Sequence, residues 1–212
     1  MENKYKLTEE TININGRTLY RIEALKDFGD VRKGDKGGFI EKEDNLSQCG
    51  NCWVYDDAQV YENAAICDDA KVYWDARVYA NAKVSQNAKV SGNVQVYGNA
   101  AVCDDAKVYW DARVYANAEV SGNAQVYGNA AVYGNAAVYG DAAVCDYVEV
   151  YGDAKIYGNA FVCGCTEVYG DAKIYEDAEV CDNAIICGNT KVYGNAKVSG
   201  DMAGCNNVEV FS

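Results

Sequence analysis

The 212-residue chain contains no proline and no histidine. Without proline, nearly every backbone N–H is free to pair with a neighbouring strand. Without histidine, the chain lacks the side chain whose pKa lies nearest neutrality, the commonest general base and metal ligand. It has no run of eighteen apolar residues and no apolar N-terminal stretch of the signal type, so neither membrane insertion nor secretion is indicated. The expected location is the cytoplasm of whatever cell makes it. Cysteine is not scarce, with ten residues. Most of these occupy a repeat slot otherwise filled by Tyr or Ser, so reduced thiols are expected rather than a disulfide scaffold.

What the chain does have is a period of six. From Val54 to Val198 every sixth residue is Val or Ile, 25 positions without an exception, and the residue four places later is Ala, Val, Thr or Met. A repeat this short cannot bury an apolar face within one unit, so its units must coil and stack. The unit reads Val-Tyr-Gly-Asn-Ala-x. Strand alternation points its first and fifth residues inward and its second and sixth outward, and the third and fourth make a corner. Asn or Asp at the fourth position is expected because short polar residues tolerate left-handed backbone.

The coil length follows from a duplication. CDDAKVYWDARVYANAKV from Cys67 recurs from Cys103 with one change, a shift of 36 residues, which is two coils of eighteen. The expected fold is therefore all-β: a triangular, single-stranded parallel β-helix of about nine coils occupying residues 51–212. Residues 1–50 precede it as a cap. Alternation around Asn15-Gly16 predicts a β-hairpin, and Ile40, Leu46 and Cys52 look like a degenerate first coil in phase with the Ala column.

Division by eighteen sorts the outward residues. The first face carries Tyr61, Tyr79, Tyr97, Tyr115, Tyr133, Tyr151 and Tyr169, and Lys71, Lys89 and Lys107 are expected there as a short basic ladder. A second face stacks Tyr139, Tyr157, Tyr175, Tyr193 and Phe211. A third is mixed. Trp74 and Trp110 occupy one corner two coils apart, exposed and suited to be binding hot spots. Asp56, Asp57, Asp75 and Asp111, continued by Asp146, Asp182 and Asp201, line one corner. Asp68, Asp69, Asp104 and Asp105, continued by Asp141, Glu176 and Asp177, line another. Residues 51–212 carry ten Lys/Arg against 22 Asp/Glu, 10 − 22 = −12, or one net charge per ~3.5 Å of rod against the ~1.7 Å of duplex DNA. The series Cys145, Cys163, Cys181 and the pair Cys187, Cys205 should have Cα atoms ~4.8 Å apart, within disulfide range. Packing as small apolar residues is the expectation for them. Cys49-Gly-Asn-Cys52 has no second C-x-x-C to complete a metal site.

The unit resembles the hexapeptide repeat of left-handed β-helix proteins, a superfamily that includes acyltransferases and the γ class of carbonic anhydrases. The opening, TLYRIEALKDFGDVRKGDKGGFIEKEDNLSQ followed by WVYDDAQVYENA, resembles YdcK-type hexapeptide proteins of bacteria and prophages, often labelled acyltransferases. The resemblance implies a left-handed coil. It also implies catalysis by histidine as base or zinc ligand, for which this chain has no residue to match.

The functional expectation is accordingly a non-catalytic acidic β-solenoid, with no catalytic, cofactor or metal residues, acting as a protein-interaction module. A specific version is a phage- or prophage-encoded inhibitor, a DNA mimic occupying a host nucleic-acid-binding protein. The partner is then a protein, with no direct contact to nucleic acid or membrane, and self-association into a homo-oligomer is expected. The alternatives are an acyltransferase-like protein with a non-histidine site and a self-assembling structural protein.

Overall fold

The computed structural model describes residues 3–205 and 207–212. Among the described residues three sheets form the walls of a prism, with twelve, nine and nine strands, all parallel except for the first three of the twelve. Successive strands of each wall are eighteen residues apart, as in the pairing of Lys89 with Lys107 and Val90 with Val108. The walls are named here by a residue each bears. The Tyr61 wall contains the strands Gln59–Val60 and Arg77–Val78. The Tyr139 wall contains Ala65–Ile66 and Ala137–Val138, and the Lys89 wall contains Trp53–Val54 and Lys89–Gly92.

Each wall segment is short because the chain turns every six residues. All third positions from Asp56 to Gly200 have positive φ, and no fourth position from Asp57 to Asp201 does. Asn and Asp at the fourth position therefore have another cause than left-handed backbone. Their side chains form ladders between coils. Asn63 donates its amide to Asn81, Asn81 to Asn99, Asn99 to Asn117, Asn117 to Asn135, and Asn135 to Asp153, at 2.9–3.2 Å. An amide both donates and accepts, so it can stand inside such a chain; a carboxylate only accepts and must end it.

The interior is two columns. Val or Ile at the first position and Ala at the fifth are almost completely buried throughout. Where Thr replaces Ala, its hydroxyl is satisfied: Thr166 Oγ1 donates to the Cys163 carbonyl at 2.7 Å and Thr190 Oγ1 to the Gly204 carbonyl at 3.1 Å. Coils are joined by backbone bonds from residue i to i+17, such as Gln95 N–H to the Ala112 carbonyl at 3.1 Å and Tyr97 N–H to Val114 at 3.0 Å.

The hairpin at Asn15-Gly16 is present. It joins β1 (Tyr5–Ile14) to β2 (Arg17–Ala24), with φ of 51° and 83° at the turn, as a two-residue hairpin loop requires. β2 pairs antiparallel with β3 (Lys36–Ile40), and β3 pairs parallel with Gln59–Val60. The hairpin thus extends the Tyr61 wall. At the open end of the core, Tyr5 of the hairpin and Phe28 pack edge-on against Trp53, at 6.2 and 5.3 Å. The first coil also differs from expectation. Ile40 pairs with Val60 and Leu46 with Ile66, twenty residues on and in the Val column, whereas Trp53 pairs with Lys71, eighteen on. Two extra residues are absorbed between Leu46 and Cys52, where Gly50 has φ 72°.

Cys163 is bonded to Cys181 and Cys187 to Cys205, with Cα separations of 4.6 and 4.7 Å. The expectation of reduced thiols throughout therefore fails for these four. Cys145, the third member of its series, remains a buried free thiol.

The corner geometry is open to test. Gly134 has φ 74°, and a Cβ there would lie 2.9 Å from the Gly152 nitrogen. Gly134→Val should destabilise the protein by ~1–3 kcal/mol in urea unfolding. Gly134→Asp should cost less, because its carboxylate can accept the next coil's N–H, as Asp104 does from Gly122 at 2.9 Å.

Candidate functional site

The Tyr61 ladder is continuous. Rings from Tyr61 to Tyr169 stack at 4.8–5.0 Å with interplanar angles of 8° or less. The second ladder, Tyr139, Tyr157, Tyr175, Tyr193 and Phe211, stacks at 4.9–5.4 Å. The phenols are also tied along the wall: Tyr79 donates to Gln95 at 3.3 Å, Tyr133 to Glu149 at 2.9 Å and Tyr151 to Glu167 at 3.2 Å. One expected contact residue is lost. Tyr61 is only 7% exposed, because Leu19 of β2 and Phe39 of β3 cover it.

Burial pushes the Tyr79 phenol up to about 12, helped by the neighbouring Tyr61 and Tyr97 rings. Tyr151 is likewise pushed up to about 12, by burial and then by the Glu167 carboxylate. Tyr61, Tyr115 and Tyr133 shift the same way.

The acidic corners are less available than the sequence suggests. At third positions the carboxylates turn back onto backbone: Asp56 accepts from Trp74 N–H at 3.0 Å, Asp68 from Gln86 at 3.1 Å and Asp104 from Gly122 at 2.9 Å. Asp57 pairs with Arg21 at 3.0 Å. Asp69 accepts from Asn51 N–H at 2.9 Å, and Asp111 accepts the Asn93 amide at 3.0 Å. Asp75 and Asp105 have no such partner among the described residues.

Lys71, Lys89 and Lys107 stand on the Lys89 wall, beside Tyr73 and Tyr109, and not on the Tyr61 face. That wall lies between the two acidic corners. The lysines and the fourth-position residues Asp69, Asn87, Asp105 and Asn123 line one open groove of about 780 Å³. Lys71 is held by Asp30 at 2.6 Å. A second groove, about 620 Å³, repeats the arrangement with Lys155, Lys173 and Lys191 on the Tyr139 wall.

Trp74 and Trp110 are exposed at 58% and 55%, at third positions with φ of 60° and 66°. Both line a slot of about 280 Å³ together with Asp75, Gly92, Asn93 and Asp111. Trp110 rests edge-on against Tyr109 and Tyr127 at 5.4 and 5.5 Å.

Lys4 was not singled out by any sequence pattern. It is 1% exposed, and its Nζ donates to the Cys52 carbonyl at 2.9 Å and to Cys52 Sγ at 3.2 Å. Burial lowers its pKa. Burial also raises the thiols of Cys52, Cys67, Cys103 and Cys145, which keeps them protonated and poorly nucleophilic near neutral pH. Among the described residues no three Cys, Asp or Glu side chains converge as a metal site, and no helix is long and apolar enough to cross a membrane.

Fold and surface together define a hexapeptide-repeat β-solenoid protein. The sequence family described as the YdcK β-solenoid repeat matches residues 124–140. The chain is also similar to the "Uncharacterized acetyltransferase YdcK" of Escherichia coli (strain K12), 41% identical over 61 residues. That segment is 25% of this chain and spans only 19% of the relative's length.

The ladder makes a pH prediction. A tyrosine whose folded pKa exceeds the unfolded value of ~10 gives stability that is complete below pH ~10 and lost as pH rises through the folded value. For Tyr79 and Tyr151 that value is about 12. Urea midpoints should fall between these two limits, and tyrosinate absorbance of the folded protein should lag that of the unfolded chain.

Proposed function

We propose that this chain is a non-catalytic β-solenoid that presents a rigid surface to a protein partner in the cytoplasm of a bacterial host. The observation that carries this reading is the contrast between the laddered surface and the Trp74–Trp110 corner. Elsewhere the outward residues are largely occupied with one another, coil on coil, with Tyr147 the isolated exception at 65% exposed. At this corner two large apolar rings are exposed in strained backbone, which the fold does not need.

An acetyl-transfer role, suggested by the relative's name, draws less support. Acyl transfer needs a positioned general base; the chain has no histidine, and the aligned segment is a small part of that relative. The DNA-mimic version is also weaker than the general one. Lys71, Lys89 and Lys107 stand between the acidic rows, and the Asp56, Asp68 and Asp104 carboxylates are bonded to backbone N–H groups. Self-association through the half-buried Tyr ladders remains a second mode of the same surface-presenting role.

Affinity capture from the native cell, with the wild type and a Trp74→Ala/Trp110→Ala variant side by side, tests the reading. A partner retained by the wild type should be lost by the variant, as expected for hot-spot residues worth ~2 kcal/mol or more. Equal recovery by both proteins would remove the corner from the interface. Saturable acetyl-CoA binding by calorimetry would replace the reading with the enzymatic one.

A further inference from the structure

We propose that the slot between Trp74 and Trp110 is a binding site for a trimethylammonium group. The proposal rests on the reading of the chain as a binding module and names the chemistry of what it binds. The two tryptophans lie two coils apart, so their backbones are separated by roughly 9–10 Å. A planar ring stacked at ~3.5–4.0 Å from each indole would need only ~7–8 Å and would touch one wall at a time. A trimethylammonium group is thicker. In a slot lined by both tryptophans it would be held by cation–π attraction, which acts within ~6 Å of an aromatic ring.

Three further features favour a cation of this kind. The slot is lined by the carboxylate-bearing Asp75 and Asp111 and by no cationic side chain. Asp75 has no hydrogen-bond or ion-pair partner among the described residues, whereas Asp111 keeps one oxygen on Asn93. The body around it is acidic, with a formal charge of −13, which concentrates cations at its surface.

The slot is also built by an exchange of residue types at one corner. Gly92 sits between the two tryptophans with φ 100°, and a Cβ there would lie 2.5 Å from the Trp110 carbonyl oxygen. The intervening coil thus places no side chain at the third position between the tryptophans, and its Asn93 lines the slot with its amide turned to Asp111. Conversely, bulky Trp occupies left-handed backbone twice, a conformation disfavoured for a residue that carries a Cβ. Most other corners use Gly or an acid. Trp110 is steadied by Tyr109 and Tyr127, so one wall of the slot is held in place before ligand arrives.

Titration with choline, followed by tryptophan fluorescence, tests the site, because the third tryptophan, Trp53, is 1% exposed and provides a constant background. A saturable change is expected. The neutral isostere 3,3-dimethylbutan-1-ol should bind about tenfold more weakly, as should choline to Asp75→Asn/Asp111→Asn. Trp74→Gly should abolish binding while leaving thermal stability equal or higher, since glycine relieves the left-handed strain; a merely structural tryptophan would lower stability instead. Phosphatidylcholine vesicles in a sedimentation arm distinguish a lipid headgroup from a free cation. Binding in either arm that Trp74→Gly removes supports the site and identifies its source. Absence of saturable binding in both arms, equal affinity for the isostere, or binding retained by Trp74→Gly overturns it. If choline fails while partner capture still depends on Trp74 and Trp110, the ligand chemistry is wrong and the binding-module reading stands.

Discussion

The structure depends on one backbone event repeated every six residues, a left-handed third residue that turns the chain by a third of a coil. Because all these corners from Asp56 to Gly200 share the same sign of φ, eighteen residues close one coil and the next lies on it in register. Everything else follows from that register. Val stacks on Val and Ala on Ala inside, and backbone N–H groups reach carbonyls seventeen residues on. Thirteen of the 25 third positions are glycine, the residue for which this conformation carries no Cβ penalty. Where Asp stands there instead, its carboxylate offsets part of the strain by accepting the N–H of the coil above.

Register also governs the surface. Stacking like on like turns each outward residue type into a ladder, and the ladder's chemistry decides which sequences work. Asn chains run until an Asp ends them, because a carboxylate has no proton to pass on. Tyrosines stack and send their hydroxyls to Gln or Glu on the same wall. Much of the polar surface is therefore structural, which explains how a strongly acidic chain can have so few free carboxylates at its corners. It also makes the exceptions informative. Trp74 and Trp110 neither complete a ladder nor suit their backbone; Trp110 is held edge-on by Tyr109 and Tyr127, and the two tryptophans line the slot between them.

The N-terminal end solves a different problem. A solenoid exposes its core at the first coil, and here Trp53, Tyr5, Phe28 and the stem of Lys4 fill that opening. The buried Lys4 ammonium is tolerated because it donates to the Cys52 and Gly50 carbonyls and to the Cys52 sulfur. The hairpin meanwhile folds Leu19 over Tyr61, so the beginning of the aromatic ladder is interior and only its later rungs face outward.

The period, the eighteen-residue coil, the inward columns, the aromatic ladders and the hairpin turn were all legible in the amino-acid sequence, because each depends on local spacing and strand alternation. The Trp pair and its acidic neighbours were legible as one corner for the same reason. The same spacing already set Lys71, two residues before Tyr73, on the wall between the acidic rows, and its assignment to the Tyr61 face went against it. Three matters needed the third dimension. The role of the fourth-position Asn and Asp is set by partners eighteen residues away, not by their own φ. The disulfide pairs depend on side-chain direction within a ladder. The burial of Lys4 and Tyr61 depends on how a non-repeating segment packs against a repeating one, and no periodicity can specify a contact made only once.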